Sequence, residues 1–215
     1  MSAPHNRFLA GVSAVRSVWC THLFIAAIAT FAQAQSIAQP QARELLNSER
    51  IAAKFGNYGI EVLEQSDELR VSNLHSSDAG TTTCRTFAIV RYPSRIDPAL
   101  AAPHAAIVAG GSIGAVFAGQ GWEVRKTHLH YGEHEASATL AKLMRIGVGT
   151  QLAEHVYVLD VAKDGRVLEY AALVEIHHPD YLRLADLAGI YGPANPANRR
   201  DLVATLLATA ASRSR

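Results

Sequence analysis

The segment from Val174 to Pro179 places a carboxylate and two imidazoles together at the end of a run of apolar residues. Such groups can transfer protons or bind a metal ion. Because alternate side chains of a strand point to opposite faces, Glu175 and His177 are expected to share one face, with His178 on the other. The two histidines therefore cannot bind one ion together. The pattern leaves open whether Glu175 is buried and paired or lies on a solvent-exposed face.

Three other histidines, His128, His130 and His134, form a second candidate for metal binding. The spacing places the first two on one face of a predicted strand and the third in the loop that follows. Two imidazoles and a third ligand can hold zinc, but neither an HExxH motif nor a cysteine pair supports that assignment. We therefore expect solvated imidazoles and no metal. Cys84 lacks the surroundings of a nucleophile and is expected to be buried and inert.

Arg70, Arg85 and Arg91 lie on the first two predicted strands. An arginine on a sheet either covers the rim or holds a carboxylate through two parallel hydrogen bonds. The glycine-rich segment 109–121 has neither the spacing nor the lysine of a phosphate-binding loop. It is more typical of tight turns, or of backbone N–H groups that can meet a carboxylate.

The elements that position these residues are strands joined mostly by hairpins. Two β-branched, apolar runs flank Lys163-Asp164-Gly165, a strong hairpin signal, and two earlier strands flank Asp78-Ala79-Gly80. Residues 97–119 are expected to be helical, residues 134–147 fit either a helix or a strand, and Asn195-Pro196 is expected to open a final helix. Strands and helices do not alternate regularly, which predicts an α+β fold with one antiparallel sheet and helices packed on one side.

The first part of the chain has the pattern of a secretory signal peptide. Arg7 and Arg16 precede the apolar run 23–31, which is followed by Ala32-Gln33-Ala34. The run is too short to span a bilayer. The sequence thus predicts a signal peptide over residues 1–34, a polar tether over 35–41 and a single domain over 42–215. We expect a periplasmic or secreted protein without a stable membrane anchor. The alternative is that the apolar run forms an N-terminal core helix of a cytoplasmic protein.

The charge and cysteine content of the predicted mature chain limit its partners. Removal of Arg7 and Arg16 leaves 18 Lys and Arg against 19 Asp and Glu, a net charge of −1, so no basic surface for nucleic acid is expected. Cys84 is then the only cysteine, which excludes an intramolecular disulfide. The fold must therefore be stabilised by its apolar core.

The order of several short motifs resembles the chorismate pyruvate-lyase family. The resemblance covers roughly residues 65–182 and extends more loosely to the effector-sensing domains of GntR-type regulators, which share the fold and only bind ligands. The matching motifs are Leu69-Arg70, Asp78-Ala79-Gly80, Pro93, the segment 113–117, and the final hairpin from Gly165 through Leu173 and Glu175 to Pro179.

The resemblance implies a ligand enclosed beneath helical flaps and no cofactor. Arg70 would hold a substrate carboxylate, the backbone around Ile113 and Gly114 would contact the same ligand, and Glu175 would accept or relay a proton as pyruvate leaves. A second family arginine corresponds either to Arg85 or to Arg91, which lies two residues before the proline.

The expected partner is a small aromatic or carboxylate ligand. The resemblance implies a lyase that removes pyruvate from chorismate or a similar enolpyruvyl compound. The alternative is a non-catalytic periplasmic binding protein that uses the same pocket, which the predicted signal peptide favours.

Overall fold

The computed structural model describes residues 44–215. The predicted signal peptide (residues 1–34) and tether (35–41) lie outside them. Within the described residues, no helix is long and apolar enough to cross a membrane. The strands are β1 (Gly59–Gln65), β2 (Leu69–Asp78), β3 (Thr81–Arg91), β4 (Glu123–Glu135), β5 (Gln151–Lys163) and β6 (Arg166–His177). The helices are α1 (Asn47–Phe55), α2 (Ala101–Val108), α3 (Ile113–Gly119), α4 (Ala138–Met144), α5 (Leu184–Tyr191) and α6 (Arg200–Arg213), and a 3-10 turn (Pro98–Leu100) precedes α2.

The strands form one six-stranded sheet in the order β1-β2-β3-β6-β5-β4. Every neighbouring pair is antiparallel. The last hairpin, β5–β6, thus joins the first three strands to β4. The predicted α+β class with a single antiparallel sheet is confirmed.

The turn of the β5–β6 hairpin has the conformation that its sequence favours. Lys163 pairs with Arg166, and the two residues between them, Asp164 and Gly165, have φ values of 50° and 78°. A two-residue turn with both central φ values positive matches the right-handed twist of the strands, and aspartate and glycine tolerate that backbone. The turn therefore forms where Asp164-Gly165 predicted it.

Helices cover both faces of the sheet: α4 and α6 pack on one side, and α1, α2, α3 and α5 lie over the other, where helical flaps were expected. Side chains of β6 alternate, so that Val174 and Ile176 pack with α4 and α6, whereas Leu173 packs against α2 and α3. We call the first side the core face and the second the cavity face. The central strands are buried on both sides, which explains why residues 171–176 are nearly all apolar.

The core face is a continuous apolar layer. Its sheet residues include Val71, Phe87 and Ile89, and the helices supply Leu140, Met144, Leu206 and Ala210. The cavity face is covered by two apolar clusters instead. One includes Ile107 and Phe117 of α2 and α3, and the other includes Ile51 and Leu187 of α1 and α5.

Three elements differ from the sequence-based expectations. β1 was not predicted, because it is an edge strand with only partly buried side chains and a weak alternation. The ambiguous segment 134–147 contains helix α4, whose first turn is capped by the Ser137 hydroxyl accepting from the Leu140 N–H. The last helix begins at Arg200, because the Asn195 side chain caps a separate turn through the Ala197 N–H.

Candidate functional site

A cavity of about 70 Å³ lies on the cavity face, between the sheet and helices α1 and α3. A buried water needs roughly 10–15 Å³ by this kind of measure, so the space admits several waters or a small organic molecule. Its lining is mostly apolar, with a few polar groups. The lining residues on which the site depends are Asn47, Tyr58, Arg70, Ser72, Ile113, Gly114, Lys126, Tyr157, Leu173 and Glu175.

Arg70 is the largest fully buried side chain of the described residues. Its Nη1 donates to the carbonyl oxygens of Ile107 and Gly111, each 2.9 Å away, and so holds the connection between α2 and α3. Its Nε and Nη2 are buried and have no hydrogen-bond partner among residues 44–215. A guanidinium stays charged in proteins, so this side chain brings an uncompensated positive charge to the cavity wall.

The unpartnered atoms of Arg70 form the edge of the guanidinium that binds carboxylates in a bidentate manner. The exposed Arg125 shows this use of the same edge, since its Nε and Nη2 donate to the two carboxylate oxygens of Glu123 at 2.9 and 2.8 Å. In Arg70 the same edge has no carboxylate partner among the described residues, and its neighbour is the Tyr92 hydroxyl. The arrangement suits the carboxylate of a small ligand.

Glu175 lines the same cavity and is buried. Its Oε1 accepts a hydrogen bond of 3.0 Å from the Asn47 amide, and its Oε2 has no partner. Burial raises the pKa of Glu175 above its ordinary value, although Lys126 and Asn47 favour the charged form. A carboxyl group in this position can give or take a proton from a ligand.

Lys126 brings a second positive charge to the cavity. Its side chain is only 6% exposed, and its Nζ donates to Glu44 Oε1 at 2.7 Å. The same Nζ lies 5.2 Å from the ring centroids of both Tyr157 and Tyr191. An ammonium held by one carboxylate and two aromatic rings adds to the positive potential around the cavity.

Ile113 and Gly114, predicted to contact a ligand, also line the cavity. A Cβ on Gly114 would lie 2.6 Å from Leu46 Cδ1, so the glycine lets α3 approach Leu46 closely. The structure therefore brings together four of the six predicted site residues, and the two most important, Arg70 and Glu175, share one cavity. Their roles toward a ligand stay predictions.

Arg85 and Arg91, the two candidates for a second ligand-binding arginine, are not among the residues that line this cavity. Arg85 is the extra residue of a β-bulge in β3, and its guanidinium carbon lies 3.9 Å above the ring of Phe55 while its Nε donates to Ser76 Oγ. Arg91 is exposed at the end of the same strand. Lys126 supplies the second cation instead.

Three histidines, His128, His155 and His177, lie near one another on the cavity face. His128 Nδ1 lies 2.8 Å from His155 Nε2, and His128 Nε2 lies 3.4 Å from Glu44 Oε2. His177 Nδ1 lies 3.0 Å from Thr86 Oγ1, and its Nε2 lies 3.9 Å from Glu175 Oε2. Burial lowers the pKa of His177 to about 3 and also lowers the pKa of His155, so both imidazoles are neutral at neutral pH.

The expected pairing of His128 with His130 on one face does not occur. A bulge at Leu129 makes His128 pair with Tyr157 on the cavity face and His130 with Val156 on the core face. His134 lies 3.0 Å from Glu154 Oε2 and 3.2 Å from Ser214 Oγ. These three histidines therefore do not converge.

The remaining polar candidates have structural roles. Cys84 is fully buried in the apolar cluster of the core face, and burial raises its pKa to about 12. His178 points away from His177, as alternation predicted. Rather than belonging to a loose strand end, it is buried, with its Nε2 3.1 Å from the Met144 carbonyl oxygen and its Nδ1 accepting from the Asp180 N–H.

Sequence reasoning missed Asn47, Lys126 and His155. Lys126 and His155 lie on strands whose alternation is visible in the sequence, but their proximity to Glu175 depends on strand order and register. Asn47 begins helix α1, and its reach to Glu175 crosses 128 positions of the chain. Only the alternation of β5, which puts His155 and Tyr157 on one face, was a usable signal.

Comparison with known proteins gives partial likenesses to solved structures. No family model matches the chain, and no curated protein does. The C-terminal domain of Yurk from Bacillus subtilis is 15% identical, with a TM-score of 0.36 over 58% of this chain and 89% of that one. A GntR-family transcriptional regulator from Enterococcus faecalis is 12% identical, with a TM-score of 0.38 over 59% and 93%.

A GntR-family regulator from Bacillus cereus is 14% identical, with a TM-score of 0.36 over 63% of this chain and 85% of that one. Two of these three solved structures are GntR-family regulators, the group to which the sequence resemblance loosely extends. Identities and TM-scores this low establish no function for this chain.

Proposed function

We propose that this protein binds a small carboxylate-bearing molecule in the cavity between β2, β6 and α3. The observation that carries the proposal is the open Nε and Nη2 edge of the fully buried Arg70. Leaving a buried charged donor without a partner costs several kcal/mol, and a carboxylate ligand would supply two acceptors in the matching geometry.

The walls of the cavity favour a small ligand with an apolar body. Leu74, Val90, Leu159 and Leu173 contribute aliphatic surface, and Tyr157 contributes an aromatic ring. Lys126 adds positive charge, and Glu175 offers one free oxygen. Most small-molecule sites combine an apolar lining with a few convergent polar groups in this way.

The proposal is tested by thermal shift with a panel of small aromatic and aliphatic carboxylates, each beside its neutral amide. We expect carboxylates to raise the melting temperature and amides not to, because only the former match the guanidinium edge. Arg70→Met should weaken the best ligand about 10–100-fold. Arg125→Met, the same change at an exposed arginine, is the matched control.

Because Arg70 also holds two backbone carbonyls, Arg70→Lys serves as a second variant that keeps the charge and loses the bidentate edge. Circular dichroism checks that both variants fold. A panel in which no carboxylate shifts the melting temperature, or an Arg70→Met protein that binds as tightly as the wild type, would contradict the proposal.

A second candidate function is elimination of pyruvate from chorismate or a related enolpyruvyl compound. The position of Glu175, buried with a raised pKa in the same cavity as Arg70, favours it. Folded protein incubated with chorismate should then release 4-hydroxybenzoate and pyruvate. Binding of carboxylates without product would reject the lyase and retain the binding protein.

We also propose export to the periplasm or beyond, on the support of the N-terminal sequence pattern. N-terminal sequencing of the protein from its native cell fraction should give a chain that begins at Gln35. A chain that retains Met1 and stays with the cytoplasmic fraction would contradict export.

A further inference from the structure

Three buried side chains on the cavity face, His155, Glu175 and His177, form a cluster that carboxylate binding by Arg70 does not use. One ligand atom from each of them lies within 4.8 Å of the other two. All three residues are buried. They come together because His155 pairs with Glu175 across the β5–β6 hairpin and His177 follows on the same face of β6.

Each member of the cluster has one polar atom that finds no hydrogen-bond partner in the part of the chain that the structure describes: His155 Nδ1, Glu175 Oε2 and His177 Nε2. Buried polar atoms are nearly always paired, so three unpaired ones on adjacent side chains require an explanation. Glu175 Oε2 and His177 Nε2 are 3.9 Å apart, too far for a direct hydrogen bond.

The other polar atom of each side chain is held by a neighbour. His155 Nε2 lies 2.8 Å from His128 Nδ1, His177 Nδ1 lies 3.0 Å from Thr86 Oγ1, and Glu175 Oε1 accepts from the Asn47 amide. The same amide lies 3.2 Å from Thr86 Oγ1, which links two of these supports. Partners of this kind fix the ring orientation and tautomer of metal-binding histidines.

The tautomers that satisfy these bonds leave lone pairs on the unpartnered atoms. If His177 donates from Nδ1 to Thr86, its Nε2 is an acceptor. If His155 donates from Nε2 to His128, its Nδ1 is an acceptor, and His128 can in turn donate from Nε2 toward Glu44, 3.4 Å away. The cluster then has three acceptor atoms that make no hydrogen bond within residues 44–215, and the Tyr157 hydroxyl is a neighbouring donor group that favours the Glu175 carboxylate.

We propose that His155, Glu175 and His177 bind a divalent transition-metal ion of the Zn²⁺ type. Two imidazoles and a carboxylate are the donor set of many catalytic zinc sites and of non-haem iron(II) sites, and both leave a position open. Tetrahedral ligands about 2.1 Å from zinc are about 3.4 Å apart, so the Glu175–His177 pair would close by roughly half an ångström.

This inference goes beyond the proposed carboxylate site and rests on other residues apart from Glu175, which lines the cavity and also belongs to the cluster. His155 and His177 are not among the residues that line the cavity, and Arg70 is not part of the cluster. The sequence predicted no metal, because alternation separates His177 from His178 and no motif supports His128, His130 and His134. His155, which completes the cluster, was not among the candidates.

The test uses the full chain, stripped with dipicolinate and then titrated with Co²⁺ and Zn²⁺. We expect about one ion per chain, a visible Co²⁺ absorption that Zn²⁺ displaces, and a melting temperature that rises with either metal. His155→Gln and His177→Gln should weaken Zn²⁺ binding at least about 100-fold, and Thr86→Val about 10–100-fold, since loss of an outer partner typically has that effect.

His134→Gln is the control, because His134 is a partly buried histidine beside a carboxylate and lies outside the cluster. It should bind metal as the wild type does, and so should Arg70→Met. Conversely, His155→Gln should keep carboxylate binding, which makes failure of one proposal distinguishable from failure of the other.

Two results would overturn the metal site: less than about one tenth of an ion per stripped and reloaded chain, or metal affinity that is unchanged in both His155→Gln and His177→Gln. If either glutamine variant fails to fold, Thr86→Val and the Co²⁺ absorption of the wild-type chain decide. The metal site would then be rejected if Thr86→Val binds metal as tightly as the wild type and the Co²⁺ spectrum of the wild type is octahedral, like that of the aqua ion.

Discussion

The two faces of the sheet are built by the same strands and have opposite characters. On β6, Val174 and Ile176 join the apolar layer under α4 and α6, whereas Glu175 and His177 face the other side with unpartnered polar atoms. Unpartnered buried polar groups cost free energy, and charged ones cost more. The core face thus stabilises the fold through packing, whereas the cavity face carries the polar groups on which both proposed binding sites rest.

The largest expected effect comes from truncating the core face. Ile176→Ala should lower the free energy of unfolding by about 2–5 kcal/mol, because the side chain is fully buried and its removal leaves a cavity among packed neighbours. The matched variant on the other face is Leu173→Ala. Leu173 already borders the cavity, so its removal deletes fewer packed contacts.

Urea unfolding of both variants measures the difference, and Leu173→Ala should cost less than Ile176→Ala. Equal losses would mean that the cavity face is packed as tightly as the core face, and the contrast between the two faces would then fail.

A second, smaller effect is expected from thiols placed on the two faces. Cys84 lies in the core-face cluster, and its pKa, raised to about 12 by burial, keeps it protonated at pH 8. Ser72→Cys would put a thiol on the cavity wall, two residues from Arg70, whose charge favours the thiolate. Iodoacetamide should modify the introduced thiol at least about tenfold faster than Cys84.

Peptide mass spectrometry separates the two sites from Cys20, and both thiols should react at similar rates in denaturant. Equally slow reaction in the native protein would show that the cavity does not admit small molecules, which would count against the proposed binding function.

The sequence was sufficient for features that depend on local pattern. Alternation alone placed Glu175 and His177 on one face of β6 and His178 on the other, because side-chain direction in a regular strand has a period of two. Asp164-Gly165 predicted the last hairpin for a similarly local reason. The prediction that Arg70 and Glu175 face one ligand came from the family resemblance, because no local pattern relates residues so far apart in the chain.

Contacts that depend on β-bulges, which shift the pairing of two strands, could not be predicted from the sequence. Counting back from the Asp164-Gly165 turn pairs His155 with Val174, on the core face. A bulge at Tyr170 shifts the register by one and brings Glu175 opposite His155. Leu129 separates His128 from His130 in the same way. A one-residue slip changes the face of every later side chain, so these two bulges determine which histidines meet.

The smallest expected effect is that of a Glu→Gln change, which should alter the free energy of unfolding in opposite directions on the two faces. Glu175 on the cavity face has an unpartnered oxygen, whereas Glu154, opposite Ile176 on the core face, lies 3.0 Å from His134 Nδ1. In the presence of a chelator, Glu175→Gln should raise the free energy of unfolding by about 1 kcal/mol. The amide would remove a buried carboxyl and present an N–H toward His177 Nε2, now 3.9 Å from Oε2.

Glu154→Gln, the same change at a partnered carboxylate, should lower the free energy of unfolding by about 0.5–1 kcal/mol, because a hydrogen bond to a charged acceptor becomes a neutral one. Urea unfolding at neutral pH measures both. If Glu175→Gln is the more destabilising of the two, Glu175 belongs to the stabilising framework of the fold, and the cavity face would have to be explained by folding rather than by binding.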